Sequence, residues 1–169
     1  MLNKVLKVSE LDLNFKFEIA KTREGRTVLW CVQCGMCSSG CPFSEALNVK
    51  PHEIVKMILL GMRDEALTCK NIWVCATCYI CAERCPQGVE LGDILVALAN
   101  IAARERGVPE GLSDIGKLLL EDGRAIKVSR IRMKERERME LPPIPNPNVF
   151  QTRKILKETG LDEVINKER

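Results

Sequence analysis

Aromatic side chains make up only 4% of this chain, and histidine occurs once. The first shortage means that a core must be built mainly from aliphatic residues. The second rules out a Rieske centre, which needs two histidines on one iron. The lone His52 reads as a solvated residue in the first turn of a helix. Long apolar runs are also missing: "MILL" and "ILVALA" are far shorter than the ~20 residues of a membrane-spanning helix. "MLNKVLKVSELD" carries lysines and an acidic pair where a secretory signal would be apolar. There is no Gly-rich dinucleotide fingerprint and no Cys-Cys pair. A formal charge of +3 does not by itself point to nucleic acid. The expectation is a cytoplasmic chain with no membrane span and no nucleic-acid partner. In a reducing compartment, cysteines read as metal ligands or catalytic thiols before they read as disulfides.

What the chain does have is cysteine, nine in 169 residues, and an odd count argues against a fully paired disulfide framework. "CVQCGMCSSGCP" holds Cys31, Cys34, Cys37 and Cys41, and "CATCYICAERCP" holds Cys75, Cys78, Cys81 and Cys85. Each run is C-x2-C-x2-C-x3-C-P. A structural zinc site usually joins two C-x2-C knuckles and stops at four thiolates. Here a third cysteine follows at the same step, and the fourth precedes a proline. That is the ligand run of two-cluster ferredoxins, in which the fourth cysteine of each run serves the other cluster. The first reading is therefore two [4Fe–4S] clusters, one held by Cys31, Cys34, Cys37 and Cys85, the other by Cys75, Cys78, Cys81 and Cys41. Zinc knuckles are the alternative. A radical-SAM site would need C-x3-C-x2-C, which neither run supplies.

The spacing has a physical reason. Ligands at i, i+3 and i+6 let a short loop curl round one face of a cluster with its N–H groups turned to the sulfurs. Pro42 and Pro86, with fixed φ and no N–H, then turn the chain. Cations such as Arg84 and Lys70 can offset the cluster's negative charge. Two clusters held together by exchanged ligands can pass an electron on. Cys69 reads as a small buried apolar residue, with zinc or redox use as the lesser alternative.

Between the runs the pattern is helical. Pro51 suits a first helical turn, and Ile54, Met57, Ile58 and Met62 follow at helical spacing to Gly61. "RDEALTC" reads as a second short helix carrying Cys69. Leu91, Ile94, Leu95, Leu98, Ile101 and Ala102 draw an apolar stripe that ends at "RERG" and Pro109. "SDIGKLLLEDG" predicts a further helix capped by Ser113. Leu11, Leu13, Phe15, Phe17 and Ile19 alternate like a strand, but Leu11, Phe15 and Ile19 also share a helix face, and helix is preferred because no strand partner is evident. From about residue 124 the chain turns basic and then proline-rich. The expected organisation is a two-cluster domain over 1–123 and a docking arm over 124–169. The arm orders by wrapping a partner protein and cannot build a core of its own; a solvated tail is the plainer alternative.

"LWCVQCGMCSSGCP", the helical spacer and "IWVCATCYICAERCPQGVELGDIL" together resemble the C subunit of heterodisulfide reductase. The likeness spans roughly residues 14–120, including the Trp73-Val74-Cys75 lead-in and the Cys85-Pro86-Gln87-Gly88-Val89 exit. It is similar, less closely, to the iron–sulfur domains of succinate dehydrogenase and anaerobic glycerol-3-phosphate dehydrogenase. The resemblance implies a mainly α, α-helical ferredoxin fold in which the eight motif cysteines are the cluster ligands. It implies an electron-transfer subunit of an oxidoreductase with no catalytic residue of its own. Electrons would pass from the flavin-containing A subunit to the B subunit, which reduces the coenzyme M–coenzyme B heterodisulfide of methanogenesis at noncubane clusters. A hydrogenase or formate dehydrogenase module would lie further out. The alternatives are an iron–sulfur subunit of a quinone-linked dehydrogenase and a zinc-stabilised assembly protein.

Overall fold

Leu11, Phe15 and Ile19 admit both a strand and a helix face, and the backbone takes the helix. In the computed structural model, which describes residues 7–167, Phe15–Lys21 forms α1 with Phe15 and Ile19 fully buried. Leu13 and Phe17, the other strand-pattern positions, face solvent. The amino-terminal segment weighed against a secretory signal lies partly outside the described residues. Among those residues there is no strand, and the fold is mainly α, in keeping with an α-helical ferredoxin architecture. No helix among them is long and apolar enough to cross a membrane.

A one-turn helix, α2 (Met36–Ser39), sits inside the first cysteine run. Then α3 (Pro51–Leu60) starts with the proline at its first position and ends on Gly61 in the left-handed conformation. The Glu53 carboxylate reaches back to accept the Lys50 N–H at 2.6 Å, satisfying a donor the helix start leaves open. Next come α4 (Arg63–Thr68) and α5 (Asn71–Val74), and α6 (Ile80–Glu83) sits inside the second run. The apolar stripe of 91–102 becomes α7 (Leu91–Arg106). Ile54, Ile58, Leu67, Leu91, Ile94 and Leu98 pack with Phe15 and Ile19 in one core. Burying each such aliphatic side chain is worth ~1.5–3 kcal/mol. Phe15 is the core's fully buried aromatic, and the Arg63 guanidinium lies 4.9 Å from its ring centroid while pairing with Glu18.

The chain divides into two compact units, Met1–Ala102 and Ala103–Arg169. The boundary at 123/124 rests instead on a change of composition. In the second unit α8 runs over Glu110–Asp122, three residues earlier than the cap expected at Ser113. Pro109 precedes the helix, and the Ser113 hydroxyl donates to the Ile165 carbonyl at 3.0 Å. Beyond it lie α9 (Arg130–Arg138), α10 (Val149–Glu158) and α11 (Leu161–Ile165), the last two packed on α8. Gly116 of α8 has no room for a Cβ, which would come within 2.4 Å of Ile165, and Ile165 is buried there. The proline-rich stretch is tied down by arginines. Arg124 donates to the Pro145 carbonyl and Arg136 to that of Pro142, both at 2.7 Å. Prolines lack an N–H, but their carbonyls still need donors.

Candidate metal centres

Both cysteine runs fold the same way. A 3-10 turn at Val28–Trp30 delivers Cys31, and α5 delivers Cys75. Left-handed residues then follow in matching places: Gln33 (φ 58°) and Gly35 (φ 77°) in the first run, Thr77 (φ 47°) and Tyr79 (φ 60°) in the second. Each non-glycine in that region costs ~1–3 kcal/mol, a strain held only where the surroundings impose it. The single turns α2 and α6 come next, carrying Cys37 and Cys81, and they pack against each other. Gly40 and Arg84 occupy equivalent positions, and the Arg84 side chain lies where a Cβ on Gly40 would be. Tyr79 is anchored on α7: its ring covers Gly92, where a Cβ would approach to 3.2 Å, and its hydroxyl donates to Asp93 at 3.0 Å.

Two cavities open beside the runs. The first is lined by Cys31, Cys34, Cys37 and Cys85, together with His52, Gln33 and Gln87. The second is lined by Cys41, Cys75, Cys78 and Cys81, with Asn71, Thr77 and Tyr79. Cys81 also borders the first. All eight motif cysteines thus line one or both cavities, and Cys41 and Cys85 each lie in the cavity of the other run. Among the described residues, no three His, Cys, Asp or Glu side chains close on one point tightly enough for a single metal ion. Thiols that ring a cavity suit a larger, four-iron body.

The donor set fits such a body chemically. Burial pushes the Cys37 thiol above its usual range, the Ser38 hydroxyl partly offsets this, and the charges of Cys31 and Cys81 add to the rise. Burial likewise raises Cys81, and Cys75 adds to it. Thiolates crowded and desolvated in this way form only against bound cations, which displace the protons.

Cys69 lines neither cavity. It is buried just past the end of α4, not within that helix, and burial raises its thiol while the Asn71 and Ile72 N–H groups oppose the rise. His52 differs from its sequence reading. It does lie in the first turn of α3, but it lines the first cavity and its Nδ1 is 2.6 Å from the Ser38 hydroxyl. Gln33 carries no message in the sequence beyond that of a spacer, yet its side-chain amide donates to Cys31 Sγ at 3.3 Å. Its place inside the C-x2-C step is the only signal that could have found it.

The sequence model of the 4Fe–4S dicluster domain family matches residues 27–89, which contain both runs. Among characterised proteins, the chain is 31% identical to the C subunit of the ferredoxin/F420H2-dependent CoB–CoM heterodisulfide reductase of Methanosarcina acetivorans, over 85% of this chain and 92% of the relative. The chain belongs to the family of heterodisulfide reductase C subunits. A second member, the C subunit of the H2:CoB–CoM heterodisulfide,ferredoxin reductase of Methanothermobacter marburgensis, is 28% identical over 95% of this chain and 90% of its own length. A third, the C2 subunit of the H2/formate:CoB–CoM heterodisulfide,ferredoxin reductase of Methanococcus maripaludis, is 26% identical over 95% and 94%. Like these subunits, the chain is an iron–sulfur electron-transfer component of the oxidoreductase class, and it carries two [4Fe–4S] clusters.

Proposed function

We propose that this chain relays electrons from a flavoprotein partner, the A subunit of a heterodisulfide reductase, to a B subunit that reduces the coenzyme M–coenzyme B heterodisulfide. The relay would run in the cytoplasm of a methanogenic or related cell. The carrying observation is the crossed lining of the two cavities, which supports Cys31, Cys34, Cys37 and Cys85 as ligands of one cluster and Cys75, Cys78, Cys81 and Cys41 of the other. Each cluster, when bound, accepts and releases one electron.

The chain's own residues set how that electron is reached. Cys34 and Cys78 are the exposed thiols of their runs. The first run and its lead-in carry the exposed Trp30, Val32 and Met36, and the second the exposed Val74, Tyr79 and Ile80. Each cluster edge is therefore set in an apolar surface that a redox partner can cover, one for entry and one for exit. The names of the three relatives share the CoB–CoM heterodisulfide and ferredoxin and differ in H2, formate and F420H2. That pattern favours a shared heterodisulfide-reducing partner and an interchangeable donor module.

Residues 124–169 form the second docking element in this reading. Ile126, Ile131 and Phe150 are 71–78% exposed, and α9 is rich in basic side chains. The test is reconstitution from separately purified proteins. The chain alone should not reduce a disulfide, and disulfide reduction should require the flavoprotein, the disulfide-reducing protein and this chain together. Full activity from the two partners without it would refute the relay.

A further inference from the structure

The two runs match in backbone but not in the polar groups they turn toward their cavities. Where the first run has Gln33, the second has Thr77, and where the first has Ser38, the second has Ala82. Ser38 is 7% exposed, and its hydroxyl oxygen accepts the His52 backbone N–H at 3.1 Å. The hydroxyl proton has His52 Nδ1 within reach at 2.6 Å. Given to Nδ1, it selects the tautomer with a proton on Nε2, on a residue that lines the first cavity. That arrangement supplies an N–H donor at the first cavity. The Gln33 amide on Cys31 adds another.

The second cavity is lined by Asn71, Thr77 and Tyr79 and has no paired serine and histidine. Tyr79, which lines it, gives its hydroxyl proton to Asp93, and the Asn71 amide donates to the Val49 carbonyl. Among the described residues, no side-chain hydrogen bond goes to the sulfur of Cys41, Cys75, Cys78 or Cys81. Donors to cluster and ligand sulfurs stabilise the more negative, reduced state and raise the potential.

We propose that the Ser38–His52 pair directs a hydrogen-bond donor at the cluster of Cys31, Cys34, Cys37 and Cys85, making it the more easily reduced of the two. This rests on the ligand assignment above. The electron then waits at the edge exposed around Cys34, and the exit partner docks over Trp30, Val32 and Met36. Ser38 and His52 are positioning residues in this scheme; neither carries the electron.

Histidine occurs once, so feeding 15N-histidine to cells making the full-length chain without a histidine tag labels His52 alone. Anaerobic protein with about eight iron per chain is titrated with dithionite and studied by pulsed electron paramagnetic resonance. At one electron per chain, the signal should carry a 15N coupling together with a proton coupling that disappears in deuterated buffer. In Ser38→Ala and His52→Leu, the equilibrium between the two singly reduced forms should shift about tenfold toward the other cluster, or 59 mV for one electron. The other cluster's potential should stay where it was. A 15N coupling that is absent, or that emerges only with the second electron, overturns the proposal. So do variants in which both potentials move together or neither moves. Iron near four would instead defeat the two-cluster assignment underneath.

Discussion

Cys69 is the thiol of this chain that lies outside both runs, and its chemistry follows from where it sits. Burial raises its thiol, so the neutral form is the one the fold stabilises. Cys69→Ala should leave iron content unchanged and cost ~1–3 kcal/mol, as a modest core truncation does. The sign of the pH dependence is fixed. A thiol whose folded pKa is raised adds stability below the unfolded value near 8.5, and that contribution is lost as pH rises through the folded pKa. The melting-temperature gap between wild type and Cys69→Ala should therefore narrow from about pH 7 to about pH 10. A widening gap would mean that the thiolate is the favoured form. His52 makes the opposite point about single residues: its surroundings come from Ser38, in a different helix, and no local pattern could have announced them.

Helices with strong stripes and clear punctuation are legible in the sequence. Pro51 and Gly61 bound α3, and the stripe from Leu91 to Ala102 marks α7. The start of α8 is not, because Ser113 resembles a cap, whereas Pro109 and the acidic first turn at Glu110 already suffice. The packing of α11 is hard to foresee because the burial of Ile165 depends on a contact with Gly116, and a glycine in "SDIGKLLL" carries no apolar signal. That contact is testable. Gly116→Ala should force Ile165 off α8 and cost ~1–3 kcal/mol as an overpacked site. Hydrogen exchange should then quicken across α11 while both cluster signals stay unchanged. Unaltered exchange would show that Ile165 can move aside freely. The cysteine runs sit at the other extreme. Their spacing, read by the rule of two-cluster ferredoxins, puts forward the crossed pairs, and the cysteines of each proposed set line one cavity.

At the scale of the molecule, the chain holds two clusters, and in the proposed relay its work lies between partners. Truncation after residue 123 should keep both clusters and weaken co-purification with the other subunits. Charge reversal at Arg130, Arg132 and Lys134 should make any remaining association less sensitive to salt. A truncated chain that assembles normally would place all docking on the cysteine-bearing unit.

The central claim is that two clusters are tied together by exchanged ligands, and cysteine-to-serine variants read by electron paramagnetic resonance test it most directly. Cys41→Ser and Cys78→Ser should disturb one and the same signal, although these residues belong to different runs. Cys85→Ser and Cys34→Ser should disturb the other. If Cys41→Ser instead alters the signal that Cys34→Ser alters, each run holds its own cluster and the crossing is wrong.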